Sequence, residues 1–239
     1  SSQAGCRMGC KFCMSGQKGL LRNLTAAEML SEAILVSKDC GIPVTNIVLM
    51  GSGEPLDNYD AVRRFIKLAS EDKGLNIGVR RITVSTCGLI PGVKKLTEDL
   101  PGVNLSLSLH CAVPEIRKTI MPIENAYSVV DVIEACKEYR KKSGRLITCE
   151  YTVIEGVNDT EHCARALAKL LRGTDMTVNL IDYNENPLYR KKNRRGVTEE
   201  FANKLKNLKI NYTIRRKLGS DINSACGQLR ASYMENSGK

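Results

Sequence analysis

Apolar positions along the chain recur with two periods in turn. One places them three or four residues apart, as on a helix face, and the other in short runs or strict alternation, as in a strand. Thr25-Ala26-Ala27-Glu28 has the form of a capping box. Behind it Met29, Leu30, Ala33, Ile34 and Val36 fall on one side of a helix predicted to reach about Asp39 and to stop at Gly41. A strand follows over 46–50, then a helix over about 60–71 carrying Val62, Phe65, Ile66 and Leu68. The next predicted elements are a strand over 81–85, a short helix near 91–98 and an alternating strand over 103–109. After a loop, the pattern predicts a helix over 128–142 with Ser128 as its cap, then strand 146–153 and helix 160–171. Strand 177–183, helix 198–208 and strand 210–214 complete the series.

Strands alternating with helices imply βαβ crossovers and a mostly parallel sheet. No low-complexity linker or internal repeat interrupts the series, so residues 1–239 read as one α/β domain. An open doubly wound sheet and a (β/α) barrel both satisfy this pattern. Either architecture binds ligands at the C-terminal ends of its strands. Small and polar residues collect at that edge: Gly51-Ser52-Gly53-Glu54-Pro55, Ser85-Thr86-Cys87-Gly88, Ser108-Leu109-His110, Asn184 and, after the last strand, Cys226.

Composition sharpens the picture in two places. No apolar run approaches the roughly 18 residues of a membrane span and no signal-peptide pattern opens the chain, so a soluble protein is expected, with no membrane partner. The ten cysteines do not read as a disulfide framework, because a chain of 239 residues can bury a core without staples. Cys40, Cys136, Cys149 and Cys163 lie in periodic apolar segments, where a free thiol serves as a small hydrophobe. A reducing compartment, the cytoplasm, is expected. Cys6, Cys10 and Cys13 instead crowd into eight residues. Three thiolates at C-x3-C-x2-C spacing can hold three irons of a [4Fe–4S] cluster and leave the fourth open. The rival is a zinc site, which wants a fourth ligand at short spacing. The next cysteine is Cys40, inside a predicted helix, and His110 is far along the chain.

Cys6, Cys10 and Cys13, with Phe12 just before the last, resemble the triad of radical S-adenosylmethionine (SAM) enzymes. The resemblance narrows over residues 1 to about 235. Ser1-Ser2-Gln3-Ala4-Gly5-Cys6, Arg22-Asn23-Leu24-Thr25, Gly51 to Pro55, Ser108-Leu109-His110, Gly156-Val157-Asn158-Asp159 and Ala225-Cys226-Gly227-Gln228-Leu229 together resemble the RlmN/Cfr family of ribosomal RNA adenine methyltransferases. This implies a partial (β/α)6 radical SAM barrel with its first strand truncated, and a [4Fe–4S] cluster and SAM as cofactors. Gly53 and Glu54 match the segment that holds the SAM amino group, and Ser85, Ser108, Leu109, His110 and Asn184 match further SAM contacts. Cys226 matches the cysteine that carries the methyl group: one SAM methylates it, and the radical from a second SAM activates that methyl for addition to an unactivated adenine carbon. Arg215, Arg216 and Lys217 lie near Cys226 in sequence and would favour its thiolate.

The resemblance also implies parts that would precede Ser1: an accessory domain, the first barrel strand, a proton-accepting acid and a resolving cysteine. By itself this chain is therefore expected to bind cluster and SAM without turning over. Cys111-Ala112-Val113-Pro114 and Asp182-Tyr183-Asn184 depart from the family's usual His-Ala-Pro-Asn and Pro-x-Asn runs. Pro55 and Asp57-Asn58-Tyr59 resemble the carbon-2 branch more than the carbon-8, antibiotic-resistance branch.

The net charge is 36 − 26 = +10. Basic clusters at Arg80-Arg81, Arg140-Lys141-Lys142, Arg190 to Arg195 and Arg215-Arg216-Lys217 form the electrostatic footprint of a polyanion binder. The implied partners are 23S rRNA, tRNA as a further substrate, and an electron donor such as flavodoxin or ferredoxin, with the chain acting as a monomer. The rivals are carbon-8 methylation by the same machinery, and a non-catalytic RNA-binding module with a structural metal.

Overall fold

The computed structural model describes residues 1–17, 19–186 and 189–216. A short antiparallel pair, β1 (Gln3–Gly5) and β2 (Leu20–Asn23), precedes the main body. Helix α1 (Ala26–Cys40) leads to β3 (Ile47–Leu49), and α2 (Tyr59–Ser70) to β4 (Ile82–Thr86). Next come α3 (Ile90–Asp99), β5 (Asn104–Ser108), α4 (Pro114–Ile120), α5 (Val129–Ser143) and β6 (Thr148–Val153). The series closes with α6 (Glu161–Leu170), β7 (Thr177–Asp182), α7 (Val197–Asn207) and β8 (Tyr212–Ile214). No helix among the described residues is long and apolar enough to cross a membrane.

Strand order decides the architecture. β3 to β8 form one six-stranded sheet in strict chain order, every pair parallel. A doubly wound sheet reverses its order at a switch point, whereas a barrel adds each strand beside the last. The Arg215 guanidinium, just after β8, donates to Met50 Sδ, just after β3, at 3.4 Å. The two edge strands therefore approach at their C-terminal ends, and the sheet curls as a partial barrel.

Register sorts the side chains by face. Leu107, Cys149, Val178 and Tyr212 align across four strands, and Tyr151, Leu180 and Ile214 across three, giving an apolar face toward the helices. The alternate rows are polar: Ser85, Ser106, Thr148 and Thr177, then Ser108, Glu150, Asn179 and Thr213. On this inner face Glu150, 5% exposed, accepts from Ser106 Oγ at 3.0 Å and Asn179 Nδ2 at 2.8 Å, and Thr213 Oγ1 donates to Asn179 at 2.9 Å.

The capping box of α1 forms as expected: Thr25 Oγ1 accepts the Glu28 N–H at 3.2 Å and Glu28 Oε2 accepts the Thr25 N–H at 2.9 Å. Its expected apolar side does not become core. Only Ala26 and Met29 of this helix are buried, while Ile34 and Val36 are about half exposed. The reason is position, since α1 packs on α2 beside the edge strand β3.

Candidate active site

The cysteine loop spans the gap between β1 and β2. The Cys6 N–H donates to the Gly19 carbonyl at 3.0 Å, and the Lys11 N–H to the Ile120 carbonyl at 2.9 Å, which seats the loop on the end of α4. Phe12 meets His110 edge-on, with ring centroids 4.7 Å apart, and so ties the loop to the end of β5. Cys6 is buried and Cys10 and Cys13 are half-buried. Burial pushes the Cys6 thiol up to about 11, with further pressure from Glu54, Cys13 and Asp57 against a Met8 backbone bond. Cys10 rises as well, from burial first and then from repulsion by Cys13 and Cys6, while Arg117 works the other way. The three sulfurs thus share one electrostatic environment.

Gly53 and Glu54 follow β3 and lie against β1. The Ser2 and Gln3 N–H groups both donate to the Ser52 carbonyl, at 3.0 and 3.2 Å, and Gln3 Oε1 accepts the Glu54 N–H at 2.8 Å. A Cβ on Gly53, whose φ is +104°, would come within 2.6 Å of Gln3 Cβ, so glycine is required there. Glu54 is 4% exposed. Its Oε1 accepts the Leu56 N–H at 3.1 Å and its Oε2 the Cys87 N–H at 2.8 Å. No lysine or arginine among the described residues pairs with it. Burial pushes the carboxyl up despite hydrogen bonds from the Cys87 backbone, the Thr86 side chain and the Leu56 backbone.

Ser85 and Ser108 meet on the inner face, Oγ to Oγ at 3.4 Å. Leu109 turns the other way, with its side chain in the apolar core and its N–H donated to the Glu150 carbonyl at 3.0 Å. His110 is 7% exposed with φ +54°, a left-handed backbone uncommon for a side-chain-bearing residue. The conformation is held from two sides: the His110 N–H donates to the Glu150 carbonyl, and Asn158 Nδ2 donates to the His110 carbonyl at 2.6 Å. His110 Nδ1 accepts the Thr152 N–H at 3.0 Å, which leaves the ring proton on Nε2. Burial, and then the Arg117 charge, depress its pKa to about 3, so the imidazole is neutral.

Two residues without an assigned role in the sequence prove central. Asn158, fully buried, also donates to the Thr152 carbonyl at 2.8 Å and accepts the Ile154 N–H at 2.7 Å. Arg117, fully buried, bonds to both strand ends that carry the site. Pro114 is a helix-start signal, yet α4 has only seven residues, too short for a period to show. Asn184 lies half-buried two residues beyond β7, in line with the other strand ends. Cys226 and Lys217 lie outside the described residues. The basic clusters divide: Arg80-Arg81 and Arg140-Lys141-Lys142 precede strands β4 and β6, at the far edge, whereas 190–195 and 215–216 follow β7 and β8 at the site edge. Part of this charge is already paired, with Arg194 bridged to Glu155 and Glu200.

The residues present fit the cofactors that the motif implies. No group of three His, Cys, Asp or Glu among the described residues converges as a single bound ion requires. A [4Fe–4S] cluster instead takes one thiolate per iron, on sulfurs that stand apart. Glu54 is a buried carboxyl with no cationic side chain paired to it among the described residues, a setting that suits a ligand ammonium, and beside it Ser2 Oγ is buried without a hydrogen-bond partner.

Comparison with known proteins agrees with this geometry. Residues 1–167 match the radical SAM superfamily. A probable dual-specificity RNA methyltransferase RlmN of Clostridium perfringens (strain 13 / Type A) is 51% identical over 240 residues, covering 100% of this chain and 69% of the relative. The crystal structure of a radical SAM methyltransferase from Sphaerobacter thermophilus superposes with a TM-score of 0.91 at 41% identity, covering 96% of this chain and 69% of that one. Streptococcus suis SuiB bound to S-adenosylmethionine shares the fold at 15% identity, with a TM-score of 0.65 over 91% of this chain and 49% of that one. The chain therefore belongs to the radical SAM superfamily and, within it, to the family of the RlmN dual-specificity RNA methyltransferases.

Proposed function

We propose that residues 1–239 form the radical SAM core domain of an RNA methyltransferase that adds a methyl group to carbon 2 of an adenine in 23S rRNA, and in tRNA, with Cys226 as the methyl carrier. The observation that carries the reading is the shared edge: the cysteine loop, Glu54, Ser85, Ser108 and His110 gather at the C-terminal ends of one sequentially ordered parallel sheet. The relative from Clostridium perfringens, named an RNA methyltransferase, supports the substrate class.

Cys6, Cys10 and Cys13 would hold the [4Fe–4S] cluster, three thiolates for four irons. The cluster and SAM together supply a 5′-deoxyadenosyl radical, the chemistry suited to an unactivated sp² carbon. Gly53 lets the backbone approach the ligand, and Glu54 takes its ammonium. Ser85 and Ser108 offer hydroxyls on the inner face, and Asn184 offers an amide at the next strand end. His110, neutral with its proton on Nε2, donates a hydrogen bond and does not serve as an acid. Leu109 contributes through its backbone, which sets the direction of its neighbours. The basic segments 190–195 and 215–216 grip RNA phosphates beside the site, while the pocket selects the base. A flavodoxin- or ferredoxin-class donor supplies the electron, and the protein works as a cytoplasmic monomer.

The test is mass spectrometry of RNA from cells lacking and then regaining the full-length gene. Restored 2-methyladenosine supports the reading, and 8-methyladenosine in its place would reassign the target carbon. A Cys226→Ala protein that still accumulates methylated RNA would remove Cys226 from its role. Anaerobic reconstitution that yields iron, sulfide and 5′-deoxyadenosine from SAM supports the cofactor assignment.

A further inference from the structure

Arg117 sits on α4 with no exposed surface. A buried guanidinium is costly unless its donors find acceptors. Here Nε donates to the Leu109 carbonyl at 3.1 Å, Nη2 to the Cys87 carbonyl at 2.9 Å, and Nη1 to Glu124 Oε2 at 2.6 Å. Glu124 is itself buried, and its other oxygen accepts the Val129 N–H at the start of α5, at 3.1 Å.

The two carbonyls belong to the segments that form the site. Cys87 follows β4, and its N–H is the one that holds Glu54 Oε2. Leu109 lies between Ser108 and His110. The C-terminal residue of α4, Ile120, receives the Lys11 N–H of the cysteine loop, and the Arg117 charge is felt at Cys10. One planar fork thus joins the end of β4 to the end of β5, and the helix that carries it meets the cysteine loop through the Ile120 carbonyl. An apolar residue would fill the space without fixing the direction of either carbonyl, and an ammonium could not reproduce the fork.

We propose that Arg117 is a positioning residue for SAM: by joining the Cys87 and Leu109 carbonyls, it holds the Glu54 carboxylate and the Ser108–His110 segment at the separation the ligand needs. This rests on the reading of those residues as SAM contacts. The alternative is a buried arginine that stabilises the fold and nothing else.

SAM affinity measured anaerobically on the cluster-loaded protein separates the two, together with the change SAM induces in the electron paramagnetic resonance signal of the reduced cluster. Arg117→Lys keeps the charge and loses the fork. It is expected to keep its iron and sulfide while SAM binding weakens by about 10- to 100-fold, the range for groups that orient direct ligands. Tyr139→Phe removes a buried 2.7 Å hydrogen bond to the Val103 carbonyl, ahead of β5 and away from the site. It is expected to lower thermal stability and leave SAM affinity unchanged. Wild-type affinity in folded, loaded Arg117→Lys, or an equal loss in both variants, overturns the proposal. Wild-type protein that binds no SAM overturns the reading of the site itself, and this inference with it. If Arg117→Lys does not fold, hydrogen exchange on the loaded wild type decides. SAM should slow amides at 87–89, 109–111 and 117–124 together, and protection that leaves 117–124 untouched overturns the proposal.

Discussion

Replacing Gly53 by alanine separates two physical reasons for a glycine beside the Glu54 carboxylate. Its φ of +104° is strained for any residue with a side chain. The added Cβ would also stand 2.6 Å from Gln3 Cβ and 2.8 Å from both the Gln3 backbone nitrogen and Ser2 Oγ. Two of those atoms are fixed to the backbone of β1 and cannot swing aside, so the strand itself must move. Gln3 then loses its 2.8 Å hold on the Glu54 N–H. The backbone conformation costs about 1–2 kcal/mol and the overpacking about 1–3 kcal/mol. A loss of about 2–5 kcal/mol in unfolding free energy follows from those two contributions. Two other glycines calibrate the result. Gly156, at φ +67° with nothing within 4 Å of an added Cβ, isolates the conformational cost at about 1–2 kcal/mol. Gly51, whose Cβ would meet Ser1 at 3.4 Å without positive φ, should change stability by less than about 0.5 kcal/mol. Urea unfolding with linear extrapolation measures all three, and SAM binding by the loaded protein should be lost only in Gly53→Ala. A Gly53→Ala protein that loses no more stability than Gly156→Ala refutes the contact argument.

Asn158→Ala removes two donors and one acceptor from buried backbone groups and should cost about 3–5 kcal/mol, by the price of leaving such groups unpaired; a urea midpoint unchanged from wild type would contradict this. His110 is held neutral when folded, while its unfolded form protonates below about 6.5, so stability should fall as pH drops from there toward 3, by up to about 1.4 kcal/mol per unit. Unfolding measured from pH 8 to 4 should show that slope, and His110→Gln should reduce it. Replacing Cys6, Cys10 or Cys13 with Ala should abolish iron loading, whereas Cys40→Ala, at an exposed helix end, should load like wild type in an iron and sulfide assay.

The long elements were legible because each carries several turns or pleats of one period. Helix α5 and strand β6 emerge within two residues of their expected limits. The antiparallel pair β1 and β2 and the seven-residue helix α4 were not, whereas the equally short strands β3 and β8 were, because those two lie within five-residue apolar or alternating stretches. α4 carries Arg117, so the residue that ties the strand ends together was hidden with it. Glu150 in the sequence could equally have paired with a nearby arginine. In the fold it takes Ser106 and Asn179, because strand register brings those two beside it on the inner face.

Composition and spacing alone fixed the α/β class, the three-cysteine loop and the strand ends at which polar residues collect, because these depend on local period and on ligand chemistry. Periodicity left doubly wound sheet and barrel open; the family resemblance implied the barrel, and the strand order bears it out, since order is a matter of pairing between segments far apart in the chain. Tertiary structure alone decided which charges are buried, which glycine lacks room for a methyl group, and which basic clusters share an edge with the site. An arginine in water and one inside the fold have the same side chain; only the neighbours that withdraw it from solvent give Arg117 its partners.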